Sequence, residues 1–421
     1  MHEEHPVKLV VEDDLQRNRV TVFFRLILAI PHFIFLFFWT IGVVLASIVN
    51  WASTLASGTP PEGLHKFMCS YVRYVSHLNA YLWLVGNPYP GFVGEEGEYP
   101  IDIVLPARTP QTRWKTFIRL FLALPALLLG TALGGSANVQ IPSKGNSGTR
   151  GAGGGALGLS VAILGWWASL FRGQMPKGLR DAGAYSIGYS AQMLAFLLLV
   201  TERYPNADPT AMLTTVERPP VHPVHLVGDA DDLRFSRVTV FFRLPLAIPH
   251  LVWLVLWTVL AILAAILTWF ATLFTGTPPA GLQPFLSRYV RYSLHVNAFL
   301  YLAANPFPGF AGVEGSYPLD LHLPAPARQN RWKTGFRVFL AIPAAIVNAA
   351  LGWALAVTGI LTWFVALFTG AAPWGLRNLA AYALRYAAQL SAYAYLLTDA
   401  YPHASPLEGA APAQLSFDEP A

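Results

Sequence analysis

The chain repeats itself. Arg19–Pro31 reads RVTVFFRLILAIP and Arg237–Pro249 reads RVTVFFRLPLAIP, 218 residues later and identical at 12 of 13 positions. The same offset joins Trp51 to Trp269, Gly58 to Gly276, Asn79 to Asn297 and Pro90 to Pro308, so the two halves are copies. Each half is double again, because Arg113–Pro125 (RWKTFIRLFLALP) and Arg331–Pro343 (RWKTGFRVFLAIP) follow 94 residues behind. Such a chain folds as repeats of one small unit, each burying what a single copy leaves open. The repeats set quarters at 1–94, 95–216, 217–312 and 313–408 in an ABAB order, with a flexible tail at 409–421. The second quarter carries a Gly-rich insertion, 135–155, which reads as a loop.

One plan runs through the quarters. Each starts on a short alternating segment (His5-Pro-Val-Lys-Leu, Tyr99-Pro-Ile-Asp-Ile, His222-Pro-Val-His-Leu, Tyr317-Pro-Leu-Asp-Leu), whose period of two is that of a strand. An arginine-bearing helix start, an apolar stretch and an aligned tryptophan follow: Trp51, Trp166, Trp269 and Trp363. A Gly/Pro turn then leads into a second helix that closes near Pro90, Pro205, Pro308 or Pro402.

Composition decides the solvent. Of 421 residues 54% are hydrophobic and 12% charged, against about a quarter charged in a soluble domain; mean hydropathy is +0.44. These proportions point to an integral membrane protein and away from a soluble enzyme or a disordered chain. A lone cysteine, Cys69, excludes an internal disulfide and a multi-cysteine metal site. The opening Met1-His2-Glu3-Glu4-His5 has no basic run before a short apolar core, so no cleaved signal peptide is expected. The net charge of +5 is spread along the chain, and nucleic acid is not an expected partner.

A membrane helix needs about 20 apolar residues. Pro31–Ser57 and Pro249–Thr275 qualify, as do the second helices Phe67–Gly86 and Phe285–Ala304, with prolines 31, 125, 249 and 343 at the helix starts. The expectation is an all-α polytopic membrane protein of about eight transmembrane helices. The four strand segments then share one side as a small sheet, and the Gly/Pro turns lie on the other. Lysines and arginines are denser on the strand side, which places strands and termini in the cytoplasm and the protein in the plasma membrane. The insertion aligns near Thr40, inside the first apolar stretch, where a Gly-rich loop cannot sit in hydrocarbon. Two arrangements stay open: a continuous helix, expected because Leu251–Leu273 has no Gly, Pro or Asn to turn on, and a hairpin turning at that point.

The strings R-x-x-L-A-I-P-H at Arg243–His250, W-F-A-x-L-F-T-G-x-x-P-x-G-L at Trp269–Leu282, the Arg/Tyr helix Arg291–Tyr301 and Thr398–Pro402 resemble the bacterial membrane family known as domain of unknown function 4389. The resemblance covers nearly the whole chain in four copies. Quarters two and four depart from it with Ala126 and Ala344 in place of histidine, and quarter two has Gly188 where others place the helix arginine. It implies a membrane class and no mechanism.

Candidate polar sites are few. His32 and His250 follow the proline in the odd quarters, and His77 and His295 lie four residues after Arg73 and Arg291 on one helical face. Such groups in a membrane segment suggest a proton relay or a ligand or headgroup site; the plainer alternative is arginines snorkelling to headgroups. Arg25, Arg119, Arg243 and Arg337 recur at every helix start and read as interfacial anchors. Glu202 and Asp399 occupy the helix exit where odd quarters have Asn87 and Asn305, as caps or as a cation site across the two halves. Asp102 and Asp320 alternate with apolar neighbours like a solvated strand face. No nucleophile, zinc or phosphate-loop motif appears, so no enzyme activity, metal or cofactor is expected. The functional expectation is a non-enzymatic scaffold or accessory subunit contacting membrane lipids and a protein partner in the membrane. The alternative is a carrier of a lipid or other apolar molecule.

Overall fold

The structure, a computed structural model, describes residues 4–134, 157–228 and 234–409. The chain forms two compact units, Met1–Glu217 and Arg218–Ala421. The first runs β1 (Lys8–Val11), α1 (Arg19–Leu28), α2 (Ile30–Ser57), α3 (Glu62–Leu82), β2 (Ile101–Val104), α4 (Arg113–Phe117), α5 (Arg119–Gly134), α6 (Leu157–Arg172), α7 (Lys177–Leu197) and α8 (Pro209–Met212). The second runs β3 (His225–Gly228), α9 (Arg237–Phe241), α10 (Arg243–Thr275), α11 (Leu282–Leu300), β4 (Leu319–His322), α12 (Arg331–Gly335), α13 (Arg337–Thr369) and α14 (Trp374–Ala394).

The long helices are apolar on nearly every side and touch protein along one stripe. In α10 that stripe is Arg243, Ala247, His250, Trp257, Ala261, Ala264, Thr268 and Thr272, spaced three to seven residues apart on one face. Three stretches, Arg19–Ser57, Arg243–Thr275 and Arg337–Thr369, are long and apolar enough to cross a membrane. The second helices α3, α7, α11 and α14, expected as further crossings, are not among them; polar side chains such as Arg73, His77, Arg291 and His295 are buried on their faces. Each long helix stops on a glycine in the left-handed region, Gly58, Gly276 and Gly370 (φ 83°, 79° and 76°), where any other residue would carry a Cβ penalty. Pro31 sits in the first turn of α2 as expected. Pro125, Pro249 and Pro343 instead lie inside α5, α10 and α13, each leaving one helical carbonyl without its N–H.

In the first, third and fourth quarters the hairpin arrangement is not what forms: α10 and α13 run unbroken for 33 residues each, and Thr40 lies within α2. In the second quarter α5 and α6 both pack along α7, as the single α13 packs along α14. The insertion between them and all of the tail beyond Gly409 lie outside the described residues.

Two findings correct the expected layout of the strands. First, β1 pairs with β2 and β3 with β4, giving two antiparallel two-stranded sheets instead of one sheet of four. Second, strands and turns are not at opposite ends. The Gln111 N–H donates to the Gly58 carbonyl (2.8 Å), Arg108 donates to the Pro60 carbonyl (3.3 Å), and His65 Nε2 lies 3.2 Å from the Pro106 carbonyl. The chain from Gly86 to Gln111 therefore returns along the length of α3, and each quarter's helix starts beside its partner's Gly turn. Arg17 N–H on Gly173 O, Gln329 N–H on Gly276 O and Phe235 N–H on Gly370 O repeat the arrangement.

Quarters also clasp one another within a unit. Trp51 donates its indole N–H to Thr116 O (2.9 Å) while Trp166 donates to Val22 O (3.0 Å). In the second unit Trp269 donates to Thr334 O (2.7 Å) and Trp363 to Val240 O (2.9 Å). The aligned tryptophan of each quarter thus holds the short helix that opens the other.

Candidate functional site

The arginines at the helix starts are buried, not interfacial: Arg25, Arg119, Arg243 and Arg337 are 1–3% exposed. Each guanidinium lies over the penultimate residue of a second helix, at 4.2 Å from the Tyr81 ring, 4.3 Å from Phe196, 4.1 Å from Phe299 and 4.5 Å from Tyr393. Each also donates to carbonyls just past that helix: Arg25 to Gly86 and Asn87, Arg119 to Thr201, Arg243 to Ala304, and Arg337 to Thr398. A helix C-terminus offers unpaired carbonyls and a partial negative charge, so a cation over an aromatic ring there serves both. The turn that follows places Leu84, Leu199, Leu302 and Leu396 at φ 56–62°, a left-handed conformation that leucine adopts at a cost; burial of these leucines and the arginine bonds hold it in place.

The paired residues of the odd quarters come together with two acids that the sequence reading left in solvent. His77 Nε2 lies 2.8 Å from Asp102 Oδ1, and Arg73 Nε lies 3.5 Å from the same oxygen. Arg73 also donates to Ile103 O and reaches Glu96 at 3.1 Å. In the second unit His295 and Arg291 lie 3.0 and 3.1 Å from Asp320 Oδ1, and Arg291 reaches Glu314 at 3.1 Å. Burial pushes the Asp102 carboxyl up, but donation from His77 and from the Gly97 and Ile103 N–H groups outweighs it and holds the group below its ordinary value. Asp320 follows the same pattern with His295, Leu321 and Gly315. Asp102 and Asp320 are 5% and 4% exposed, which corrects the solvated-face reading, and Arg73 and Arg291 do not snorkel.

A signal for these acids was present. Strands carrying Asp face second helices carrying His, whereas in the even quarters Gln192 and Gln389 take the His place. Those glutamines donate to Val7 O (3.1 Å) and Val224 O (3.0 Å) beside strands that have Lys8 and His225 where Asp stands. The exchange of acid with histidine between quarters marks the contact.

His32 and His250 occupy separate aromatic boxes. His32 Nδ1 is 2.9 Å from the Tyr74 hydroxyl, with Phe92 stacked at 4.3 Å; His250 is 2.8 Å from the Tyr292 hydroxyl, with Phe310 stacked at 4.2 Å. Glu202 and Asp399 are each engaged within their own unit. Glu202 accepts the Thr112 N–H (2.9 Å) and pairs with Lys115 (2.6 Å), while Asp399 accepts the Asn330 N–H (2.6 Å) and pairs with Arg337. Both therefore anchor the start of an even-quarter helix. A cavity of about 480 Å³ opens between α10 and α11, walled by Trp253, Trp257, Phe285, Phe310 and Arg288. Among the described residues no three His, Cys, Asp or Glu side chains group as metal ligands.

A family model described as domain of unknown function (DUF4389) matches the chain four times, over residues 19–93, 155–207, 237–311 and 331–405. Neither a curated protein nor a solved structure matches.

Proposed function

The chain belongs to the DUF4389 family, whose description names no activity, and from its geometry we propose a non-enzymatic membrane protein that acts as a scaffold or accessory subunit of a membrane assembly. Its long helices contact lipid, and a protein partner binds in the membrane. One observation supports this most. The cations that recur in all four quarters are directed at main-chain carbonyls and ring faces, so the residues the repeat retains are those that fasten helix ends. The carrier reading draws on the ABAB duplication and on the cavity of the second unit.

In this reading the long helices lie in the membrane while the second helices and strands face water on one side. The extended chain along α3 supports it. Irregular backbone is excluded from hydrocarbon unless protein encloses it, and this stretch carries exposed Glu95, Glu96 and Glu98. Eight crossings would send the Glu62 turn and the Glu95 loop to opposite sides. Lysines and arginines lie almost entirely outside the long apolar stretches, in the layer that faces water, which favours the cytoplasmic side of the plasma membrane for that layer and for both termini.

Single cysteines at Glu62 and Glu95 in a Cys69→Ala background, treated with a membrane-impermeant maleimide on cells and inverted vesicles, test the layout. Labelling of both from the cytoplasmic side is expected, and labelling from opposite sides restores the multi-crossing arrangement. Native mass spectrometry of gently extracted protein tests the role. A protein partner at fixed stoichiometry is expected; a chain that purifies alone and moves lipid between leaflets of reconstituted vesicles is a carrier.

A further inference from the structure

We propose that the cavity between α10 and α11 binds one anionic phospholipid, with its phosphate on Arg288 and its glycerol and upper acyl chain against Trp253, Trp257 and Phe310. The inference rests on the membrane-embedded reading above and deepens it.

The walls are held before any ligand arrives. Trp253 donates its indole N–H to Phe310 O (3.1 Å), Phe310 stacks on buried His250 at 4.2 Å, and Trp257 stacks on Tyr292 at 5.2 Å. Trp257 is 9% exposed, so its ring forms a wall that is already packed into the protein. Arg288 is exposed and makes no ion pair among the described residues. Beside the cavity, Val252, Val255 and Leu256 present apolar surface along which an acyl chain continues.

The first unit provides an internal contrast. The positions equivalent to Ala280, Pro284 and Arg288 hold Glu62, Lys66 and Ser70. There the cation stands one turn earlier and is neutralised by Glu62 at 2.7 Å. In the second unit the acid is gone and the cation stands at the cavity wall. Aromatic walls alone would also suit a quaternary ammonium headgroup, but an unpaired guanidinium beside them repels it and attracts phosphate, which it can bind through two N–H groups.

The test uses full-length protein, delipidated in dodecyl maltoside and titrated with dioleoyl phosphatidylglycerol or dioleoyl phosphatidylcholine, with bound lipid counted by native mass spectrometry. One phosphatidylglycerol per chain is expected to bind about tenfold more tightly than phosphatidylcholine, with that margin lost in Arg288→Gln and kept in Arg288→Lys. Lys66→Gln is expected to change nothing. Equal binding of the two lipids, an Arg288→Gln variant indistinguishable from the parent, or displacement of the lipid by inorganic phosphate overturns the proposal. Arg288 is exposed, so its variant is expected to keep the parent's circular dichroism. Release of the parent chain from native membranes by alkaline carbonate would instead sink the membrane-embedded reading.

Discussion

The imidazole of His77 lies 2.8 Å from the carboxylate of Asp102, a residue 25 positions further on that returns to α3 in β2. The pair, with Arg73 on the same oxygen, fastens the strand layer to the helix layer at a point where both are buried. The same three residue types recur at 291, 295 and 320.

Asp102→Asn leaves Arg73 and His77 facing a neutral group in the interior. Removing one partner of a buried pair costs about 3–5 kcal/mol. The Asp102 carboxyl is held low in the fold, so its contribution is complete above the ordinary carboxyl value, about 4, and disappears as pH falls through the lower folded value. The parent should therefore lose stability in acid through this group, and the variant should lack that part of the dependence. Thermal unfolding in micelles at pH 6 and pH 3, followed by circular dichroism, measures both effects.

Arg25→Met removes the cation from the Tyr81 ring and from the carbonyls of Gly86 and Asn87. A loss of about 2–4 kcal/mol is expected from the helix end and the ring contact together. Arg25→Lys should recover little, because an ammonium cannot both lie flat on a ring and bridge two carbonyls. Denaturant titration of the three proteins compares them, and full recovery by lysine would contradict the account.

Gly312 and Gly315 separate backbone strain from lack of space. Both have positive φ, 56° and 71°, but a Cβ at Gly312 would lie 2.1 Å from the Arg288 carbonyl oxygen, while nothing stands within 4 Å at Gly315. Gly315→Ala should cost about 1 kcal/mol, the backbone penalty alone. Gly312→Ala must also displace the loop from α11, a loss of about 3 kcal/mol or more. Equal melting temperatures for the two variants would refute the contact.

Trp269→Phe keeps an aromatic ring beside α12 and deletes the N–H that holds Thr334 O. A loss of about 1 kcal/mol is expected, the net worth of one hydrogen bond. Hydrogen exchange at the amides of α12 should rise in the variant, and unchanged protection would show that the bond does not restrain this short helix.

The sequence by itself determined the repeat, the long apolar helices and the glycines that end them. Period, hydropathy and glycine placement are local properties, so Gly58, Gly276 and Gly370 stop their helices where the turns were read. It also marked His77, Arg73 and their copies as a set, because four-residue spacing places them on one face. Which residues they meet was a tertiary decision. Asp102 has the alternation of a solvated strand, and only the return of the chain along α3 turns that face inward. Likewise the four helix-start arginines look like interfacial anchors in sequence, because a guanidinium beside an apolar stretch has two good environments, the headgroup layer and the carbonyl end of another helix. Local pattern cannot choose between them. Packing can, since it brings the Tyr81, Phe196, Phe299 and Tyr393 rings and the unpaired carbonyls after them to within reach of those side chains and excludes water from the contact.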